Sequence, residues 1–192
     1  MVSPMKLRNV AAMNRINDAA HSRSLTDSIM AHEVIAALRH WAKAGAGGIL
    51  IGAVALSYHV RPRFTQDLDF LFLDEAAIPD AAPGFNRISP TLFRHDATGI
   101  DVNVQTPAGI GVPKEIAEQV ARTAVLTHGV WVASESGIVA LKLFRLSAQD
   151  VADIVAVIKT GRVDLSGFPL MLKEMSAFRG LIEIARTDPH PP

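Results

Sequence analysis

Cysteine is absent from the 192 residues, and so is any long apolar run. Without cysteine the chain can form neither a disulfide nor a thiolate metal site. No apolar run reaches the ~18–20 residues that a membrane span needs. The first 23 residues also lack the apolar core and cleavage pattern of a signal peptide. These absences predict a soluble, cytoplasmic protein with no membrane partner.

The chain also lacks net charge, because 19 Lys and Arg balance 19 Asp and Glu. No global basic field attracts nucleic acid, so any contact with RNA must come from a local patch. Apolar residues make up 49% of the sequence and charged residues only 20%. Such a composition leaves apolar patches on the surface, and a homo-oligomer or another protein partner is therefore an open alternative.

The periodicity of the apolar residues predicts an α+β fold, in which a small mixed β-sheet with flanking helices precedes a helical C-terminal part. The predicted helices cover residues 5–20, 26–43, 54–59, 113–122, 135–145, 148–159 and 170–186. The predicted strands cover residues 49–51, 68–73, 91–95, 100–105, 124–127 and 130–133, with a hairpin turn at His128-Gly129 between the last two. Residues 74–90 contain three prolines and are predicted to form a loop, with at most a short broken helix.

These elements divide the chain into four parts. Residues 1–24 are predicted to be an N-terminal helical extension, and residues 25–133 the core. Residues 134–186 are predicted to be the helical C-terminal part, and 187–192 a disordered tail.

Two aspartates open the strand at residues 68–73. Side chains alternate between the faces of a strand, so Asp67 and Asp69 are expected on one side. Two such carboxylates repel each other unless a cation lies between them, and Mg²⁺ prefers oxygen ligands. A solvated strand edge is the simpler interpretation of the pair alone.

Asp101, on the polar side of the strand at 100–105, is either part of a solvent-facing surface or a third carboxylate beside the first two. Three such carboxylates can hold metal ions for phosphoryl transfer.

The turn before this strand offers a place for phosphate. Gly52 and Ala53 precede a short helix, where a glycine lets a phosphate approach the backbone, although an ordinary tight turn explains it equally well. Arg63 adds positive charge that can bind phosphate or pair with Asp67. Thr65 can fix the turn into the strand through hydrogen bonds.

Together these residues resemble the nucleotidyltransferase fold of the DNA polymerase beta superfamily. The pattern is an apolar strand, a Gly-[Gly/Ser] turn, a short helix, a D-x-D strand and a later third aspartate. More narrowly, the stretches Gly52-x-x-Ala55-Leu56 and Arg63-x-Thr65-x-Asp67-x-Asp69 resemble nucleotidyltransferase toxins of the abortive-infection AbiE type (AbiEii-like) and related minimal nucleotidyltransferases. Residues 137–143 and 149–154 resemble the lysine helix and the following K-D-x-x-D-[IL] helix of that family, so the resemblance covers residues 27–160.

The resemblance implies roles for the site residues. Asp67 and Asp69 bind Mg²⁺ and the triphosphate, and Asp101 completes the metal site and helps to activate the acceptor hydroxyl. Lys142 reaches the phosphates or the acceptor, and Asp150 orients Lys142. From the residues alone, Lys142 is equally a surface lysine on an apolar helix, and Asp150 is a favourable helix-start carboxylate.

The chain departs from the family pattern at two positions. Ala53 stands where the family carries glycine or serine, so a hydroxyl that could touch phosphate is missing. Gln149 stands where the family carries lysine.

The implied activity is Mg²⁺-dependent transfer of a nucleoside monophosphate from an NTP to an acceptor hydroxyl. In the toxin branch the acceptor resembles a tRNA 3′ end, and the partner is an antitoxin. The same core can modify a small molecule or a protein side chain instead. A module of the same fold that binds a nucleotide or a partner without turnover is the alternative from another functional class.

Overall fold

The computed structural model of the protein describes residues 25–60 and 65–187, and this part has an α+β fold. One mixed sheet of seven strands carries helices against it, which confirms the predicted fold class. Within these ranges, no helix is both long enough and apolar enough to cross a membrane. The helix predicted at 5–20 and the tail residues 188–192 lie outside the described residues.

All seven strands and three helices lie in the first two thirds of the described chain, and four helices follow. The helices are α1 (Leu25–Lys43), α2 (Gly52–Leu56), α3 (Lys114–Thr123), α4 (Glu135–Arg145), α5 (Ala148–Lys159), α6 (Leu170–Glu174) and α7 (Ser176–Thr187). The strands are β1 (Ile49–Ile51), β2 (Asp67–Leu71), β3 (Phe85–Ser89), β4 (Leu92–His95), β5 (Asp101–Gln105), β6 (Val125–Thr127) and β7 (Val130–Val132). A 3₁₀ turn covers Glu75–Ala77.

The sheet has the strand order β3-β4-β5-β2-β1-β7-β6. Strands β2 and β5 are parallel, as are β1 and β7, whereas the other neighbouring pairs are antiparallel. The central strands β5, β2 and β1 supply fully buried apolar side chains, among them Val102, Leu68 and Leu50. The alternate side chains of β2 and β5 are polar, so these central strands have one apolar face and one polar face.

Helix α1 covers the apolar face of the sheet through Trp41. The indole ring stacks on Phe70 of β2 with the ring centroids 5.2 Å apart, and it contacts Phe85 and Phe93 edge to face. Its Nε1 donates to the carbonyl of Gly47 at 3.0 Å, so the polar end of this buried ring is satisfied. Because Phe70 and the two aspartates of β2 alternate, α1 lies on the face of the sheet opposite to Asp67 and Asp69.

Serine caps set the starts of the two helices that were predicted with the correct bounds. Ser134 Oγ accepts the backbone N–H of Gly137 at 3.1 Å at the start of α4. Ser147 does the same for Asp150 at 3.2 Å, and the Asp150 carboxylate accepts the backbone N–H of Ser147 in return. Such reciprocal caps satisfy N–H groups that the helix leaves unpaired. The hairpin turn at His128-Gly129 is also confirmed, with φ of 51° and 82° at its two residues.

Four predicted elements are corrected by the structure. Strand β3 lies inside the predicted loop at 74–90. Only its first residue is buried, so it lacks the alternation of buried apolar and exposed polar residues that predicts a strand. The helix predicted at 54–59 begins at Gly52 and ends at Leu56. The helix predicted at 170–186 is broken at Met175, whose ψ of 124° is extended rather than helical. Strand β2 begins at Asp67, so both aspartates belong to it.

A pair of histidines joins α1 to the β4 end of the sheet. His40 Nδ1 lies 2.9 Å from His95 Nε2, and His95 Nδ1 lies 2.7 Å from Thr98 Oγ1. One of the two facing ring nitrogens must donate and the other accept, so the pair cannot be fully protonated without losing its hydrogen bond. Burial, and then the neighbouring His40, lower the pKa of His95, although Asp96 opposes this.

We expect this histidine pair to weaken the fold as the pH falls. The unfolded chain takes up the His95 proton near the ordinary pKa of about 6.5, whereas the folded protein takes it up only at lower pH. The free energy of unfolding is therefore lost as the pH decreases below about 6.5. Urea denaturation between pH 7.5 and 5 should show a smaller pH dependence in His95→Gln than in the wild type. The exposed His128→Asn is the control, and an unchanged slope in His95→Gln would contradict the expectation.

Candidate functional site

Two strands place the acidic and amide side chains of the site on the polar face of the sheet. In the parallel pair β2–β5, Asp67 lies opposite Asp101, and Asp69 lies opposite Asn103. Residues opposite each other in a ladder project to the same face. The predicted common face of Asp67, Asp69 and Asp101 is therefore confirmed by the register.

Gly52 makes room for one of these carboxylates. It has a φ of +67°, and a Cβ atom built on it would lie 2.1 Å from Asp69 Oδ2. Both the backbone conformation and the contact therefore require glycine at this position. Ala53 follows inside α2 and presents only a methyl group.

Asp69 lies in an environment that opposes its negative charge. Burial raises the pKa of its carboxyl group, and so does the charge of Asp67; hydrogen bonding from Asn103 and the charges of Arg145 and Lys142 oppose the rise. Asn103 Nδ2 and Gln105 Nε2 donate to Asp69 Oδ1 at 3.2 and 3.3 Å. The pair of carboxylates is therefore a site where an added cation lowers the electrostatic free energy.

Thr65 fixes the first aspartate of the pair. Its Oγ1 donates to Asp67 Oδ1 at 2.5 Å, so the predicted role of Thr65 in the turn before β2 takes the form of a contact with the carboxylate itself. Arg63, which was predicted to bind phosphate, lies outside the described residues.

Opposite the carboxylates, α4 and α5 hold a cluster of charges that we call the α4–α5 ion cluster (Lys142, Arg145, Asp150 and Asp153). Lys142 Nζ lies 2.6 Å from Asp150 Oδ1 and 2.8 Å from Asp153 Oδ2. Arg145 donates to both oxygens of Asp150, at 2.8 and 2.9 Å. Gln149 Nε2 donates to Asp153 Oδ1 at 2.9 Å, so the residue that replaces the family lysine supports this cluster.

Asp150 is the centre of this ion cluster. It is fully buried, and burial alone would raise its pKa. The hydrogen bonds from Arg145, Lys142 and Ser147 outweigh burial and hold its pKa well below the usual range. The resemblance assigned Asp150 to the orientation of Lys142, and the 2.6 Å contact agrees with that assignment.

One cavity of about 520 Å³ brings most of the predicted site residues together. Its polar lining combines the carboxylates of β2 with the cations of α4. The lining residues are Ile51, Gly52, Ala53, Thr65, Asp67, Asp69, Gln105, Gly109, Ile110, Val112, Ile138, Leu141, Lys142 and Arg145. Six predicted site residues, together with Gln105 and Arg145, therefore share a space of the size that small-molecule ligands occupy.

Asp101 stands apart from this cavity. Arg94 of β4, its antiparallel partner, donates to Asp101 Oδ1 at 2.8 Å and to Oδ2 at 3.2 Å. Asp101 instead lines an open depression of about 550 Å³ with Gln66, Asp67, Leu92 and Asn103. In the described ranges, no group of three acidic or histidine side chains is arranged to hold one ion. The completion of the metal site by Asp101 stays a prediction.

Sequence reasoning missed five residues that contact the predicted ones. Arg145 lies one helical turn after Lys142, and Asp153 lies three residues after Asp150, so helical spacing carried a signal for both. Asn103 and Gln105 alternate with the apolar residues of β5 and could have been assigned to the site with Asp101. Nothing in the sequence indicated Arg94, because its contact with Asp101 depends on the register between β4 and β5.

Comparison with known proteins adds no relative to this picture. No protein-family model matches the chain, and no curated protein matches it.

Proposed function

We propose that the protein is a Mg²⁺-dependent nucleotidyltransferase that moves a nucleoside monophosphate from an NTP to an acceptor hydroxyl. One observation carries the proposal: the carboxylates of Asp67 and Asp69, of which Asp69 lies against Gly52, line a single cavity together with Lys142 and Arg145. An array of this kind has oxygen ligands for a hard cation on one wall and donors for phosphate oxygens on the other.

The carboxylates fit a magnesium ion by their chemistry and their electrostatics. Asp67 and Asp69 project from the same face of β2, and burial together with Asp67 raises the pKa of Asp69. These two residues would hold the ion. When bound, Mg²⁺ supplies positive charge that stabilises the negative charge of the phosphates.

The residues of the chain have distinct roles in the proposed transfer. In the reaction, the acceptor oxygen forms a bond to the α-phosphorus, the bond between that phosphorus and the oxygen bridging to the β-phosphate breaks, and pyrophosphate leaves with the electron pair. The acceptor hydroxyl loses its proton to the carboxylate of Asp101, which the resemblance assigns to its activation. Arg145 has a largely exposed side chain on the cavity wall, with 71% of it accessible, and serves as the more available donor to phosphate oxygens. Lys142 is held by two carboxylates and positions charge at a fixed point.

The acceptor side of the site is open. Asp67 is shared between the cavity and the depression that Asp101 lines, so a hydroxyl entering over β5 reaches Asp67 from the side opposite to α4. An acceptor of the tRNA type, with an antitoxin as partner, is the proposal that the resemblance favours. A small-molecule or protein acceptor suits the zero net charge better, because the chain has no overall positive field for RNA.

A nucleotide-binding module without turnover is the second candidate. The observation that favours it is the two-point contact of Arg94 with Asp101, which engages the third carboxylate of the family pattern. Binding of an NTP in the cavity needs Asp67, Asp69 and Arg145, whereas activation of an acceptor needs Asp101 as well.

Incubation with Mg²⁺ and each labelled NTP, with and without bulk tRNA, tests the proposal. The expected result is release of pyrophosphate and transfer of label to an acceptor by the wild type, and neither by Asp67→Ala. Equilibrium binding of the same NTPs is measured in parallel. NTP binding without pyrophosphate release or label transfer would support the binding module, and a wild type indistinguishable from Asp67→Ala in all three measurements would contradict both functions.

A further inference from the structure

Three side chains form a charged row across the polar face of the sheet. Arg94 of β4 lies opposite Asp101 of β5, which lies opposite Asp67 of β2. Like charges directly opposite each other in a sheet repel, so Asp101 and Asp67 are unfavourable neighbours. Arg94 supplies the positive charge at the end of this row, and it contacts both oxygens of Asp101.

The ion pair between Arg94 and Asp101 is exposed. Half of the Arg94 side chain and 36% of the Asp101 side chain are accessible to solvent. Exposed pairs of this kind contribute little to stability, because water screens them and two side chains must be ordered to make them. The pair can therefore break at little cost to the fold, and its carboxylate can change partner.

Among the described residues, no arginine makes a comparable contact with Asp67 or Asp69. Asp67 is fixed by the hydroxyl of Thr65, and Asp69 by the amides of Asn103 and Gln105, all of which are neutral groups. Neutral donors leave the charge of a carboxylate available to a cation, whereas a guanidinium bound at two points neutralises it. Arg94 thus distinguishes Asp101 from the pair on β2.

We propose that Arg94 is a positioning residue that holds Asp101 away from the metal site and competes with the divalent cation for its carboxylate. This inference rests on the proposed function, because it assumes that Asp67 and Asp69 bind the cation. In the free protein Asp101 is paired with Arg94. Occupation of the depression beside Asp67, by an acceptor or by a cation, releases Asp101 toward the site. Arg94 thereby links the third carboxylate to the presence of the second substrate.

Binding of Mn²⁺, measured by electron paramagnetic resonance of the free ion, tests this role without any measurement of turnover. Mn²⁺ takes the same oxygen ligands as Mg²⁺. The wild type is expected to bind Mn²⁺, Asp67→Asn to lose binding, and Arg94→Gln to bind about fivefold more tightly, since a competing and repelling charge is gone. Arg94→Lys keeps the charge but loses the two-point contact, so its affinity for Mn²⁺ should lie between those of the wild type and Arg94→Gln.

Two further variants separate a specific role of Asp101 from a general effect of charge. In an Asp101→Asn background, Arg94→Gln should no longer tighten binding. Arg122→Gln, which removes an exposed arginine from a surface pair with Glu118, should bind Mn²⁺ as the wild type does. The same tightening with and without Asp101 would overturn the proposal.

The outcomes also separate this proposal from the proposed function. Mn²⁺ binding that depends on Asp67 but is unchanged or weaker in Arg94→Gln overturns only the role of Arg94. An absence of binding in both the wild type and Arg94→Gln overturns that role together with the metal site. Mn²⁺ binding by Arg94→Gln but not by the wild type would support competition between Arg94 and the cation for Asp101.

Discussion

The Asp69→Asn variant is expected to lose nucleotide transfer while the metal-free protein becomes more stable at neutral pH. Loss of one of the two carboxylates that we propose to bind the metal should reduce transfer by about 10²–10³-fold or more, because charge stabilisation at the reacting phosphate depends on it. The gain in stability has a separate cause. Burial and the charge of Asp67 disfavour the ionised Asp69, and an amide of the same shape carries no such penalty.

The sign of the stability change follows from the direction of the pKa shift. The pKa of Asp69 is raised in the folded protein, so the unfolded chain ionises first as the pH rises above about 4. Wild-type stability is then lost as the pH rises through the folded pKa, and it stays reduced at pH 7. Asp69→Asn should therefore gain about 1 kcal/mol in the free energy of unfolding at pH 7 and less at pH 4.

Urea denaturation at both pH values in the presence of EDTA, together with the transfer assay, measures the two effects. Asp80→Asn, which changes a fully exposed carboxylate paired with Arg87, is the control and should alter neither quantity. The Asn103 and Gln105 amides can still donate to the carbonyl oxygen of an asparagine at position 69, so the substitution preserves the local contacts. A variant less stable than the wild type at pH 7 would show that the Asp69 charge is compensated in the free protein.

Local sequence signals account for the parts of the fold that were predicted well. Ser134 and Ser147 mark the starts of α4 and α5, and the run at 49–51 is apolar and bounded by glycines. The alternation of apolar and polar residues in β5 predicted which side chains share its polar face. In each case the residues that determine the element are adjacent in the chain, so the sequence alone contains the information.

The parts that were missed depend on contacts between distant residues. Strand β3 exposes Asn86, Arg87 and Ile88, and it is a strand because β4 pairs with it rather than because of an alternating pattern. The partner of Asp101 depends on the register of β4 against β5. Asp101 could thus be predicted as a carboxylate on the correct face, but its pairing with Arg94 could not be predicted from position along the chain.

The ion cluster also shows how the fold holds Lys142. The sequence offered Lys142 as a surface lysine or as a functional one, and the structure buries it between Asp150 and Asp153. A buried lysine is retained only where carboxylates compensate the loss of hydration. The contacts that pair Lys142 with these two carboxylates also fix it on the wall of the cavity, so the stability of the cluster and the position of Lys142 depend on the same groups.

Asp150→Asn is expected to destabilise the protein by about 3–5 kcal/mol, the usual cost of removing one partner from a buried ion pair. The asparagine cannot neutralise Lys142 and Arg145, and its amide would place N–H donors among the N–H and O–H donors that now point at the carboxylate. Because the pKa of Asp150 is depressed in the folded protein, its contribution is present above about pH 4 and is lost only as the pH falls toward the folded value.

Urea denaturation at pH 7 measures the effect of Asp150→Asn, and Glu118→Gln on the surface of α3 is its control. Glu118 forms an exposed pair with Arg122 at 3.9 Å, and its loss should change the free energy of unfolding by less than about 0.5 kcal/mol. Each variant removes one carboxylate that faces an arginine, so the difference between them measures what burial and the additional contacts of Asp150 contribute. Asp150→Asn should also weaken nucleotide binding, because Lys142 and Arg145 both lose the group that orients them. Equal stability of the two variants would mean that Asp150 does not organise the α4–α5 ion cluster.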